Sequence, residues 1–301
     1  RGGARVMTLF LQFLLSGIML GGIYGLIAVG LVLIVKGTQV FNFAHGDMAA
    51  AGAYFFWWML VKVQLNAGLS IAGVVIGAGL LALLLERFIL RPMIGKPLLS
   101  AIMVTMGVGQ ILAGLVTLFW PGPGRTFPDI LPSGTIHLGA VALSVESLTS
   151  FIICVVVLVG FYFLFQHTDI GLAMRGTAED HQLAQSGGIQ VTRIFAICWF
   201  IGILLSAIGG ILIANLHQLD RIAVSGFILK TFAVVIFGGM ESITGAVIAG
   251  VIVGVLEMLG SGYLDPLVDG GLAEVIPFIV LLLILIVRPH GLFGYVRIER
   301  V

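Results

Sequence analysis

Charge is what this sequence has least of. Only 10% of its 301 residues are Asp, Glu, Lys or Arg, where a soluble domain carries about 25%. The formal net charge is +1 and there is no basic run. That excludes a nucleic-acid surface and gives no sign of an electrostatic switch on anionic lipid. Cysteine is nearly absent: Cys154 and Cys198 fall inside apolar stretches, fit no metal or redox spacing, and read as small buried hydrophobes. The six histidines, His45, His137, His167, His181, His217 and His290, are scattered without ligand spacing.

The catalytic signatures are missing too. Lys230-Thr231 follows Leu229 rather than glycine, so it is no phosphate loop, and ATP hydrolysis by that route is excluded. No H-E-x-x-H, G-x-S-x-G, arginine ladder or potassium-filter sequence occurs. The chain reads as a conduit rather than a catalyst.

What is present is hydrophobicity: 59% of residues are apolar and the mean hydropathy is +1.18. Apolar stretches fall at about Thr8–Val35, Met48–Val61, Leu69–Leu85, Leu99–Trp120, Leu148–Phe165, Ile194–Leu216, Phe227–Leu259 and Leu272–Val287. A crossing needs about 20 apolar residues. Thr8–Val35 exceeds that and also exceeds a signal-peptide core, so with RGGAR and Met7 before it, it is expected to be mature membrane structure. Gly21-Gly22 is expected to interrupt this first stretch. Gly238-Gly239-Met240-Glu241-Ser242 is expected to split Phe227–Leu259 into two helices. The expected fold is an all-α polytopic bundle of about eight to ten membrane segments, some short or broken. It forms a single membrane domain over 1–301.

Basic residues orient the chain. Arg87, Arg91 and Lys96, then Arg175 and Arg193, then Arg288, Arg297 and Arg300 mark three cytoplasmic regions. The Pro- and Gly-rich connection Pro121–Ser147 is then external, and the side of the N-terminus stays open. The 42 glycines include small-xxx-small pairs at Gly21/Gly25, Gly73/Gly77, Ser206/Gly210 and Gly250/Gly254, a spacing for close helix approach in lipid. Breaks at Val40–Gly46 and Phe237–Ser242, one in each half, point to a substrate path.

The polar run Gln166–Arg193 stands out against this background. Its Asp, Arg and Glu would each cost roughly 2.5–3.5 kcal/mol at a bilayer centre, so it lies in water. Thr177 and Asp180 have capping-box spacing, Glu179 and Asp180 suit a first helical turn, and Gly187-Gly188 is a stop. The spacing predicts a short capped helix over Ala178–Ser186 at the membrane face, a handle for a partner protein.

Two stretches, Gly22–Tyr54 with Asn42-Phe43-Ala44-His45-Gly46, and Arg175–Ile189 with Ala178-Glu179-Asp180 before Gly188-Ile189, resemble the permease subunits of branched-chain amino acid ABC importers, the LivH type. Phe237-Gly238-Gly239, Gly245-Ala246 and the ending Val287–Gly294 fit the same pattern, and the likeness spans essentially the whole chain. The resemblance implies a multi-pass permease of the bacterial inner membrane. Its partners would be a second, LivM-like permease, two ATP-binding subunits and an external substrate-binding protein. The chain would carry no cofactor, with ATP and Mg on the partner ATPases. The cargo would be branched-chain or related apolar amino acids. The loop at 166–193, with Arg175, Thr177, Ala178, Glu179, Asp180 and Gly188, would couple the permease to the ATPase.

Other polar residues carry two readings each. Asn42 and His45 line the translocation path or satisfy loose backbone at the break. Asp47 caps the helix that follows or lies on the path. Glu241, with Ser242, caps the next helix or meets the ATPase. Glu257 and Lys230 snorkel, pair with each other, or mark a vestibule. Glu86-Arg87 and Arg91-Pro92 anchor a cytoplasmic corner, and Trp57, Trp58, Trp120 and Trp199 include interfacial candidates. An ion-coupled secondary transporter is the alternative, with Asp47, Glu241 and Glu257 its only acidic candidates.

Overall fold

The computed structural model describes residues 2–93, 96–268 and 270–294. Arg297 and Arg300 lie outside the described residues. The elements are α1 (Gly2–Thr38), α2 (His45–Trp57), α3 (Ala67–Leu85), α4 (Arg91–Met93), α5 (Leu98–Phe119), the antiparallel hairpin β1 (Thr135–Leu138) and β2 (Val141–Ser144), α6 (Val145–His167), α7 (Asp169–Glu179), α8 (His181–Ser186), α9 (Val191–Leu216), α10 (Arg221–Gly238), α11 (Ile243–Tyr263) and α12 (Leu272–Val287). Among the described residues, seven helices are long and apolar enough to cross a bilayer, and α12 is a shorter apolar helix. With α2 also short, this is the expected helical membrane bundle. Exposed Ile76, Leu80, Met103, Ile111 and Val156 stand where a soluble protein would put charge, and suit lipid or an apolar partner.

Two expectations about breaks part ways. The turn at Gly239–Ser242 does split α10 from α11: Gly239 adopts φ +101, and the Ser242 hydroxyl caps α11 by accepting from the Gly245 amide at 3.0 Å. Gly21-Gly22, by contrast, breaks nothing, and α1 runs straight through. Glycine there makes room rather than a bend. A Cβ on Gly21 would fall 2.6 Å from the carbonyl oxygen of Gly250.

The chain forms two compact units. One comprises Arg1–Val29, Leu131–Val155 and Leu229–Val301. In it α1 runs antiparallel to α11, with Gly17 opposite Val255 and Gly25 opposite Val247. A Cβ on Gly250 would sit 2.5 Å from the Gly25 nitrogen, and one on Gly254 2.5 Å from the Gly21 nitrogen. Two of the small-xxx-small pairs therefore face each other. After α12 the chain folds back, and the Leu292 and Phe293 amides donate to the Phe237 and Gly238 carbonyls at 2.8 and 3.2 Å. Those are the last carbonyls of α10, which a helix end leaves unpaired. The connection Pro121–Ser147 holds the hairpin β1–β2, an element that its Pro and Gly content hid.

The second unit comprises Gly30–Ile130 and Val156–Ile228. Here α2 packs on α9 through small residues. A Cβ on Gly210 would fall 2.3 Å from the Ala49 carbonyl oxygen, and one on Gly52 2.4 Å from the Ala207 Cβ. Ile34, Met48, Leu85, Val108, Trp199 and Ile203 belong to its core. Trp199 is thus a core residue, not an interfacial one. Trp57 is buried too, with the Arg125 guanidinium 4.6 Å from its ring centroid. Arg125 and Leu219 exchange backbone hydrogen bonds of 2.9 and 3.0 Å, strapping the connection after α5 to the turn between α9 and α10. At the charged corner, Arg91 pairs with Glu86 at 2.5 Å.

Candidate functional site

The polar segment after α6 is built as two helices braced on the membrane domain. Thr168 caps the first, α7, its hydroxyl accepting from the Gly171 amide at 3.1 Å. Gly171 lets α7 lie against the end of α6, because a Cβ there would fall 2.2 Å from the Phe165 carbonyl oxygen. That carbonyl also accepts from the Arg175 guanidinium, which stands 5.5 Å from the Phe165 ring centroid. A helix's C-terminal carbonyls carry partial negative charge, so a cation is well placed there.

The predicted helix over Ala178–Ser186 is corrected. Thr177 is buried inside α7 and caps nothing; Ala178 and Glu179 complete α7. The short helix is α8, and Asp180 is its cap. Asp180 has the extended backbone a cap needs (φ −156, ψ 116), and its Oδ1 accepts from the Gln182 and Leu183 amides at 2.7 and 3.0 Å. Those bonds, Leu183's first and then Gln182's, hold the Asp180 carboxyl below its ordinary pKa against a smaller opposing effect of burial.

The stop at Gly187-Gly188 holds as expected. Gly188 has φ +85, its amide donates to Gln185, and the Ile189 amide reaches back to Ala184, both at 3.0 Å. This crossed pair closes a helix through a left-handed residue. His181 sets its ring edge on Phe195 of α9, with centroids 5.2 Å apart. The segment from α7 to α8 is thus tied to α6 at one end and α9 at the other. It presents Glu179, Asp180, Gln182 and Leu183 outward, and Leu183 is 71% exposed. Thr168, Gly171 and Leu183 escaped the sequence reading. The Thr168-Asp169 pair at the start of the run carried a cap signal equal to that of Thr177.

At the Val40–Gly46 break, irregular backbone is satisfied by side chains. Asn42 Oδ1 accepts from the Ala44 amide at 3.0 Å, and its Nδ2 meets Met48 Sδ at 3.3 Å. Thr105 of α5 accepts from the Phe43 amide at 3.3 Å. Ser206 of α9 donates to the His45 carbonyl at 2.7 Å. Asn42 and His45 are fully buried, and the Asn42 side chain bonds the local backbone. Asp47 is no cap: it lies half-buried in the first turn of α2, which begins after Ala44. Gly109 of α5 leaves room for its carboxylate, since a Cβ there would fall 2.8 Å from Asp47 Oδ2.

In the other unit, Glu241 is exposed in the turn before α11, and the Ser242 side chain caps that helix. Of the alternatives for Glu257 and Lys230, pairing is the one formed, at 2.6 Å.

Comparisons with known proteins agree with this architecture. The family described as branched-chain amino acid transport system / permease component matches residues 13–285. The high-affinity branched-chain amino acid transport system permease protein LivH of Salmonella typhimurium is 27% identical over 97% of this chain and 98% of its own length. BraD of Pseudomonas aeruginosa, described as a permease of the same kind of system, is 26% identical over 97% and 98%. The solved structure of PsaBC from Streptococcus pneumoniae in complex with Fab shares the fold, with a TM-score of 0.51 at 14% identity over 93% of this chain and 94% of that one. With seven membrane-length helices among its described residues and LivH relatives, this is a multi-pass protein of the inner membrane. The chain belongs to the branched-chain amino acid transport permease family.

Proposed function

We propose that this permease works in an ATP-binding-cassette importer for branched-chain or related apolar amino acids, and that α7 and α8 receive the motion of the ATPase. The permease is one membrane domain, both units included. It works with a second, LivM-like permease, two ATP-binding subunits that hold ATP and Mg, and an external protein that delivers the substrate. Asn42, His45 and Asp47, at the break before α2, and Glu241, in the turn before α11, are assigned to the translocation path and its gates.

The observation that carries the coupling reading is the double bracing of the α7–α8 segment. A surface helix that only covered the membrane face would need neither the Arg175–Phe165 tie nor the His181–Phe195 contact. An exposed leucine beside them, Leu183, is what a partner's groove would bury, at roughly 1.5–3 kcal/mol for a fully buried leucine.

The test is recovery of the ATPase with the affinity-purified permease. Leu183→Glu should lose the ATPase. Leu115→Glu, a control on the apolar exposed face of α5, changes lipid contact and should keep whatever ATPase its folded fraction can hold. Equal retention by folded Leu183→Glu and wild type would contradict the assignment of α8.

A further inference from the structure

Glu257 lies in the second half of α11, yet it is buried and both its carboxylate oxygens are taken. Lys230, near the middle of α10, donates to Oε1 at 2.6 Å. Tyr24 of α1, fully buried, donates to Oε2 at 2.8 Å. All three groups sit in helices of membrane length and within one compact unit. Their meeting is prepared by glycine. Gly21 and Gly254 are in backbone contact; along this antiparallel pair Tyr24 and Glu257 lie one turn to either side of it, and their side chains meet across it. At the other end of α10, Gly238 meets Gly245 of α11 so closely that a Cβ on Gly245 would fall 2.2 Å from the Gly238 oxygen. Three helices are thereby held near enough for one carboxylate to accept from two of its neighbours.

We infer that Tyr24, Glu257 and Lys230 form a depth-specific lock that makes α1, α10 and α11 move as one body in the transport cycle. This inference rests on the coupling function proposed above. Contacts between small apolar residues have no direction, and in lipid no hydrophobic force opposes sliding of one helix along another. An ion pair is different. Sliding α10 along α11 by one turn would part Lys230 from Glu257 and leave the buried carboxylate without its cation. Buried pairs are best attested in setting register rather than in adding stability. Here the register at stake is that of the α10–α11 turn, where the Glu241 side and the folded-back Leu292-Phe293 segment are held on the end of α10. Lys230 and Glu257 are thus positioning residues for transport, acting through the helices they join.

The experiment uses the complete importer in proteoliposomes: this chain, its partner permease, the ATPases and the binding protein. The readout is leucine taken up per ATP hydrolysed. Lys230→Met leaves a lone buried carboxylate and should cut the yield of assembled complex at least tenfold. The neutral pair Lys230→Met/Glu257→Gln removes both charges; it should assemble, but carry at least fivefold less leucine per ATP. The swap Lys230→Glu/Glu257→Lys rebuilds the pair and should recover at least half of the wild-type ratio. A neutral pair with the wild-type ratio overturns the inference, and so does a swap no better than the neutral pair. If wild-type uptake ignores ATP altogether, it is the coupling function itself that fails, and the two failures are told apart.

Discussion

The Arg175 guanidinium donates to the carbonyl of Phe165, ten residues earlier, and lies over the same residue's ring. One side chain thus joins the polar helix α7 to the last turn of the membrane helix α6. A charge-assisted hydrogen bond contributes about 1.5–3 kcal/mol, and a cation over an aromatic ring about 0.5–1 more at an exposed site. Arg175→Ala should therefore leave the membrane domain folded while loosening α7. The expected result is near-normal expression with faster amide exchange across 169–179. Arg175→Lys should rescue only in part, since lysine has no planar fork to hold carbonyl and ring together. Unchanged exchange in Arg175→Ala would show that the tie carries no weight.

Asp180 makes a pH prediction. Its folded-state pKa is depressed, by the Leu183 and Gln182 amides it accepts from. The cap's contribution is then fully present above the unfolded carboxyl value, 3.8, and is lost as pH falls through the lower folded value. Protection of the Gln182 and Leu183 amides in wild type should stay flat from neutral pH down to that region and fall only below it. Asp180→Ala should lack the protection at neutral pH, while Asp180→Asn, still a good cap, should keep most of it and lose the acid transition. An acid transition that survives in Asp180→Asn would assign it to another group.

Glycine contacts can be separated from glycine in general. A Cβ on Gly250 would lie 2.5 Å from the backbone nitrogen of Gly25, whereas one on Gly107 of α5 meets nothing within 4 Å. Gly250→Val should destabilise the detergent-solubilised protein by about 1–3 kcal/mol or more, as overpacking does. Gly107→Ala should be neutral or stabilising by up to about 1 kcal/mol, the helix preference of alanine over glycine. Thermal melting of both variants checks the contrast, and equal shifts would contradict it.

The break before α2 depends on a hydroxyl from another helix. Thr105 accepts from the Phe43 amide, and its single hydroxyl hydrogen goes to the Ile102 carbonyl at 2.9 Å or to that of Phe41 at 3.3 Å. Thr105→Val keeps the shape but removes the hydroxyl that the part-buried Phe43 amide donates to, at about 0.5–1.5 kcal/mol for a lost hydrogen bond. Thr105→Ser keeps the hydroxyl and should stay within about 1 kcal/mol of wild type, the size of a small cavity term. A valine variant as stable as the serine one would show that the break finds its partners elsewhere.

Much of this architecture was legible in the sequence, because membrane helices announce themselves by length and hydropathy. The split at Gly239, the stop at Gly188 and the close-approach spacing of Gly21/Gly25 and Gly250/Gly254 followed from local chemistry; that these two pairs face each other did not. The continuity of α1 did not, because a glycine pair has the same signature whether it bends a helix or admits a neighbour; only α11 decides. The start of α8 was misplaced for a similar reason. Thr168, Thr177 and Asp180 are all competent caps; Thr168 and Asp180 each cap a helix, while Thr177 is buried within α7, which Gly171 and Arg175 pack onto the end of α6. The Tyr24–Glu257 contact joins residues 233 positions apart, a separation no local pattern spans.

The measurement that bears most directly on the central claim is uptake of leucine into proteoliposomes holding this permease with its partner permease, ATPases and binding protein, with and without ATP on the ATPase side. Wild type is compared with Glu179→Arg, which reverses an exposed charge at the end of α7 without touching a membrane helix. Uptake that needs ATP, and that is lost in Glu179→Arg together with the bound ATPase, is the predicted result. Uptake that ignores ATP, follows an ion gradient and survives the substitution would contradict the account.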